Sequence, residues 1–172
     1  MLEGTEIKKT LSWLDRQYIA ASAKRRISNI ELQLYSKLAL LELSGWLEQS
    51  FDRIVMEYLE RTCGDPTYIK KCKDMLIKKV NGFNYETDVQ KLLLFIIGPQ
   101  KFRILENKLK TKGLFDQFHS TLNTLCELRN KAAHTHTRGT TEQFSAPSQI
   151  LLYYNQITKP MQYIDRSTHR MS

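Results

Sequence analysis

Apolar positions in this chain recur at steps of three and four residues, the spacing of one face of an α-helix. The clearest run is Leu40, Leu43, Leu47, Phe51, Ile54, Val55 and Tyr58. It sits in a stretch without proline that only Gly45 interrupts, and it predicts a helix over 29–61 with a buried stripe about five turns long. Ser28 and Asn29 offer an N-cap, and Glu31 in the first turn suits the helix dipole. This helix is the expected spine of the fold.

The rest of the chain divides at its few glycines and prolines. Residues 6–23 have helical composition and run into Lys24, Arg25 and Arg26. After Cys63-Gly64-Asp65-Pro66 a short basic helix is expected over 67–80, ended by Asn81-Gly82. A further helix covers 85–97 until Gly98-Pro99 breaks it, and 100–110 form a basic turn or two. Beyond Thr111-Lys112-Gly113 comes a helix over 114–134, then a polar loop over 135–147. The last helix is expected over 148–164, with a basic tail in which His169 is exposed to solvent. No segment alternates with period two, so the expected class is all-α: an up-and-down helical bundle of five to seven helices with one long central helix. One domain, 1–172, is expected, with its core over about 28–165.

Composition adds a partner to this picture. A net charge of +8 and a pI of about 9.4 fit a ligand rich in phosphates, although charge alone does not distinguish this from an ordinary basic protein. In the short basic helix, Lys70, Lys71, Lys73, Lys78 and Lys79 read equally well as phosphate contacts or as a solvated face. Three cysteines, Cys63, Cys72 and Cys126, stand at no metal-binding spacing and are expected as buried thiols in a reducing compartment. The polar start of the chain has no secretory pattern, and the longest apolar run, 92–97, is too short to cross a membrane. A soluble cytoplasmic protein is expected. Gly-rich phosphate loops, G-x-S-x-G and D-x-D are missing, which argues against nucleotide and serine hydrolysis. Four scattered histidines make no metal site, so neither metal nor cofactor is expected.

The helix over 114–134 carries the chemistry. Phe118, Leu122 and Leu125 lie on one line, and Arg129 falls on that same line, followed by Ala132. A guanidinium cannot shed its charge, so at a core position it must be paired or must line a polar cleft. Glu42, Glu48 and Asp52 of the long helix are its candidate partners. Ala132 and Ala133 are small enough to admit another backbone. His134 lies five positions after Arg129, about 140° round a straight helix, so a helix end or a second subunit is needed to complete a joint site. Asn130 and His134 share a face.

The run Glu127-Leu128-Arg129-Asn130-Lys131-Ala132-Ala133-His134 resembles the R-x4-H signature of the HEPN superfamily, with a polar residue after the Arg and small residues before the His. Residues 37–51 resemble the long second helix of its bacterial members, so the resemblance spans about 28–134. It implies a homodimer whose paired motifs cut RNA (tRNA or mRNA) without metal. It also implies a role as a toxin or anti-phage defence effector, with a possible antitoxin or defence partner. Some members have lost catalysis and act as binding modules. Thr135-His136 departs from the branch whose motif continues with x-Tyr, and His136 is an extra imidazole.

The chemistry itself is simple to state. RNA carries its own nucleophile, the 2′-hydroxyl, so a catalyst needs only proton transfer and charge stabilisation. Histidine exchanges protons near neutral pH, and a planar guanidinium grips two phosphoryl oxygens. Arg129 is therefore expected as phosphate stabiliser, His134 as acid and base, and Asn130 as the group that orients the His or the phosphate. Glu48, Asp52 and His136 are candidate supports, and Lys131, Arg138, Lys70 and Lys71 candidate RNA contacts. The rival reading is a non-catalytic helical module that binds a partner protein or RNA. A DNA-binding regulator ranks last, for want of a helix-turn-helix pair.

Overall fold

The stripe from Leu40 to Tyr58 is buried in the computed structural model, which describes residues 4–24, 29–80, 82–134 and 144–171, His134 by its backbone alone. Among the described residues six α-helices follow one another: α1 (Thr5–Ser22), α2 (Asn29–Cys63), α3 (Pro66–Met75), α4 (Gln90–Thr111), α5 (Phe115–His134) and α6 (Pro147–His169). A 3₁₀ turn, Ile77–Lys79, closes α3, and a π-helical turn, Tyr85–Val89, leads into α4. There is no strand among the described residues. The all-α bundle is as the periodicity predicts, and α2 is its centre, packing against each of the other five α-helices.

Local chemistry explains most of the boundaries. Gly64 takes φ 65°, a conformation that costs a glycine little, and ends α2. Asp65 then caps α3 by accepting from the Thr67 amide at 2.8 Å, with Pro66 in the first turn. Asn84 caps the π turn the same way, accepting from the amides of Glu86 and Thr87 at 3.1 Å each. The wider π turn accompanies burial of both its ends, Tyr85 and Val89. Gly98, with φ 79° and ψ 160°, kinks α4 ahead of Pro99.

Four expectations need correction. Residues 99–111 form about three helical turns, more than the turn or two expected, because Phe102, Leu105 and Leu109 supply a buried face. The basic helix stops at Met75 and finishes in the 3₁₀ turn. The segment after 164 is no tail, since α6 continues to His169 with Asp165 and Thr168 on its buried side. The thiols are not buried: Cys63 is exposed at the end of α2, and Cys72 and Cys126 are half-buried, all three free. Ser28 and Asn81 lie outside the described residues.

The ends of the chain's first and last helices are tied together over α2. The Tyr154 hydroxyl donates to the Gly4 carbonyl at 2.8 Å, and its ring meets Trp46 edge-on at 5.5 Å. Phe118, Leu122 and Leu125 of α5 are completely buried against this assembly. Each such side chain stabilises the fold by about 1.5–3 kcal/mol relative to exposure, which fixes the rotation of α5 about its axis.

Candidate functional site

That rotation decides where Arg129 points. Leu125 and Ala132 flank it on the α5 line and are both fully buried, while the Arg129 side chain keeps 29% of its surface exposed. Its Nη2 donates to Glu48 Oε1 at 2.6 Å, a short charge-assisted bond to α2. Its Nη1 donates to Asn130 Oδ1 at 3.2 Å, and Asn130 Nδ2 in turn faces Cys126 Sγ at 3.9 Å. Of the three acidic partners considered, Glu48 is the one in contact. Glu42 stands about 120° away round α2.

Asp52 follows Glu48 by one turn. Burial pushes its carboxyl above the usual carboxylate range and the Glu48 charge adds to this, while Lys73 of α3 partly opposes it. The basic helix thus reaches the site's edge through Lys73. Lys70 acts on Asp74, and Lys71 lies 5.1 Å from the Tyr68 ring. Neither Lys70 nor Lys71, both proposed from sequence as RNA contacts, touches Arg129 or Asn130 among the interactions observed. Lys131 is exposed on α5.

The described part of α5 runs to His134. Ala132 is buried, as close packing requires, whereas Ala133 is exposed. The side chain of His134, and His136 and Arg138 altogether, lie outside the described residues. Among the described residues no group of three ligating side chains surrounds Arg129.

A second polar row on α5 went unnoticed in the sequence. His119, Asn123, Cys126 and Asn130 follow at steps of four, three and four, and the first three pack on the π turn. Asn123 Oδ1 accepts from the Tyr85 amide at 3.1 Å, and its Nδ2 donates to Glu86 Oε2 at 3.1 Å. His119 Nε2 also meets Glu86, and this bond is the main cause that holds the Glu86 carboxyl below its ordinary range. Burial, reinforced by the Asp88 charge, pushes the Cys126 thiol up. Burial and the Glu106 carboxylate, which accepts from the Tyr85 hydroxyl at 3.1 Å, push the phenol up as well. The step pattern was readable, but its partner segment was not.

On the outside of α2 lies an apolar row. Ile30 and Leu34 are 63% and 54% exposed, and Leu38 and Leu41 continue the line. At 100° per residue, Gly45, Glu48 and Asp52 fall within the same arc of about 80°. The exposed row therefore runs straight into the Arg129 pair.

The sequence from 5 to 169 matches the family model described as RiboL-PSP-HEPN. The chain belongs to the RiboL-PSP-HEPN family. No curated protein and no solved structure matches it. Membership places the chain in the HEPN superfamily, whose domains are often ribonucleases. In this RiboL-PSP-HEPN domain, Arg129 and His134 lie five positions apart on the last described residues of α5.

Proposed function

We propose that the protein is a metal-independent endoribonuclease that acts as a homodimer. The observation that carries this reading is the Arg129 guanidinium, set in a line of fully buried side chains, clamped by Glu48, five residues before His134 on α5. A core position given to a permanent charge marks a place where folding yields to another demand.

In the proposed reaction the 2′-oxygen attacks the adjacent phosphorus and the bond from phosphorus to the 5′-oxygen breaks. His134 of one motif takes the 2′-hydroxyl proton, and the 5′-oxygen receives a proton from the imidazolium of the other. The products are a 2′,3′-cyclic phosphate and a 5′-hydroxyl. Arg129 binds the non-bridging oxygens as charge grows on them, and Glu48 holds the guanidinium in plane while Asn130 orients the site. Lys131 and Arg138 would steer the RNA backbone, with His136 and Asp52 as supports.

The apolar row on α2 supports pairing of two copies, because it leads into the Arg129 site and would bring the two motifs into one cleft. An enzyme of this kind needs restraint in its host, which fits a toxin or defence effector held by a partner protein in the cytoplasm. The same row favours a second reading, a HEPN module that binds a partner without cutting RNA.

The test is incubation of purified protein with tRNA and mRNA in EDTA. Expected are cuts with cyclic-phosphate ends that vanish in both Arg129→Ala and His134→Ala while the helical CD spectrum stays unchanged. Cleavage retained in both variants would sink the assignment, and binding without cleavage by the natural sequence would favour the module.

A further inference from the structure

On the face of α2 opposite Glu48 a different cluster brings together two helices. Glu57 comes from α2, and Asp165 and His169 lie one turn apart near the end of α6. The three ligand atoms lie within 4.8 Å of one another. His169 Nε2 stands 2.9 Å from Glu57 Oε2 and 3.4 Å from Asp165 Oδ1. Asp165 is only 3% exposed, so its charge has to be balanced from within the fold.

A fourth member, Arg61, sets its Nη1 against His169 Nδ1. His169 Nε2 is left facing two carboxylate oxygens at once. A doubly charged cation in the same space would touch all three groups and neutralise both carboxylates.

We propose that Glu57, Asp165 and His169 form a binding site for a divalent transition-metal ion such as Zn(II), which staples the end of α6 to α2. One imidazole and two carboxylates suit zinc and its neighbours better than calcium or magnesium, which prefer oxygen throughout. Donors bound at zinc distances stand roughly 3–3.6 Å apart, and the two spacings from Nε2 are already close to that range. A water completes the shell. An ion on Nε2 adds positive charge beside the Arg61 guanidinium, which is exposed and gives way. Arg61 is thus a competitor of the ion, and His169 its ligand.

The site lies about 13 Å along α2 from Glu48, and the inference is independent of RNA cleavage, which is assayed in EDTA. The experiment is calorimetric titration of the EDTA-stripped, dialysed full chain with zinc chloride, paired with thermal unfolding. One equivalent should bind, and Tm should rise by roughly 5–10 °C at a hundredfold excess over Kd. His169→Ala and Glu57→Gln should each weaken binding at least tenfold, the second being the check should the first unfold. Arg61→Ala should tighten it. The proposal is overturned by absence of binding, by binding unchanged in both ligand variants, or by its loss in Arg61→Ala.

Discussion

Arg129 and Glu48 are joined by a 2.6 Å bond that crosses from α5 to α2, with about a third of each side chain open to solvent. The pair is sheltered enough to fix a guanidinium and open enough for a phosphate to reach it. Removing the carboxylate should therefore separate binding from catalysis. Glu48→Gln is expected to tighten RNA affinity a few-fold, by taking away a competing negative charge, and to lower the single-turnover cleavage rate. Solvent screening keeps the stability cost small, about 0.5–1 kcal/mol. Fluorescence anisotropy with a 2′-O-methyl RNA, which cannot be cut, reports the first quantity. Unchanged affinity and unchanged rate together would mean that the pair is only structural.

The planar fork of Arg129 should not be replaceable by a point charge. Arg129→Lys keeps the charge but loses two-pronged contact, and cleavage should fall by about 10²–10³-fold. Circular dichroism should be that of the natural sequence. A lysine variant within threefold of full activity would exclude the phosphate role.

Asp52 gives the pH test, and its sign follows from burial. Its folded pKa lies above the unfolded value, so the stabilisation it offers is present below the usual carboxylate range and lost as pH rises through the folded value. At pH 7 the ionised, half-buried carboxylate is a net cost. Asp52→Asn is expected to raise stability at neutral pH by less than about 1 kcal/mol after screening, and the gain should vanish below about pH 4. Denaturant titrations at the two pH values check this. A destabilised Asn variant at pH 7 would show that the charge is needed.

The proposed dimer rests on the exposed row of α2. Leu34→Asp with Leu38→Asp should leave the helical CD spectrum intact, because both side chains are exposed. It should convert a dimer to a monomer in size-exclusion chromatography with light scattering, and cleavage should disappear with the dimer. If each active site draws on both copies, mixing Arg129→Ala with His134→Ala subunits should change activity in a concentration-dependent way. A monomeric natural protein with full activity would rule out the shared cleft.

Asn123 should prove the anchor of the π turn. It satisfies the Tyr85 amide and the Glu86 carboxylate together. Asn123→Ala leaves a buried-side amide without its partner, and stability should fall by about 1–3 kcal/mol. Amide hydrogen exchange should quicken first in 84–89. Uniform loss of protection across the bundle would place the residue in the common core instead.

The sequence carried different parts of this molecule with different clarity. The α2 stripe was legible because burial on one face of a long helix leaves a repeat at each turn. Arg129 was legible for the opposite reason, as a charge where that repeat demanded a Leu. Glu48 could be narrowed to one of three acids but not chosen, since the choice depends on how α5 is rolled against α2. The π turn was invisible: Asn84 caps it as it would cap any helix, and the contacts that bury Tyr85 and Val89 come from elsewhere in the chain. His169 was read as exposed, as it is, but in a tail instead of a helix, because a run rich in Arg, Ser and His reads as one. Asp165 and Thr168 are polar, and their burial appears only when α6 lies on α2.

Glu48 and Glu57 are nine residues apart on one helix, which sets them about half a turn from each other round its axis. One is held by the end of α5, the other by the end of α6. A rod gripped from two opposite sides resists rolling. The buried apolar face sets the roll of α2, and these two pairs add a small restraint to it from opposite sides, so the aim of Arg129 is coupled to a contact on the far side of the bundle. The far end of α6 thus acts as a stop on a shaft, and loosening it should be felt at a site it never touches.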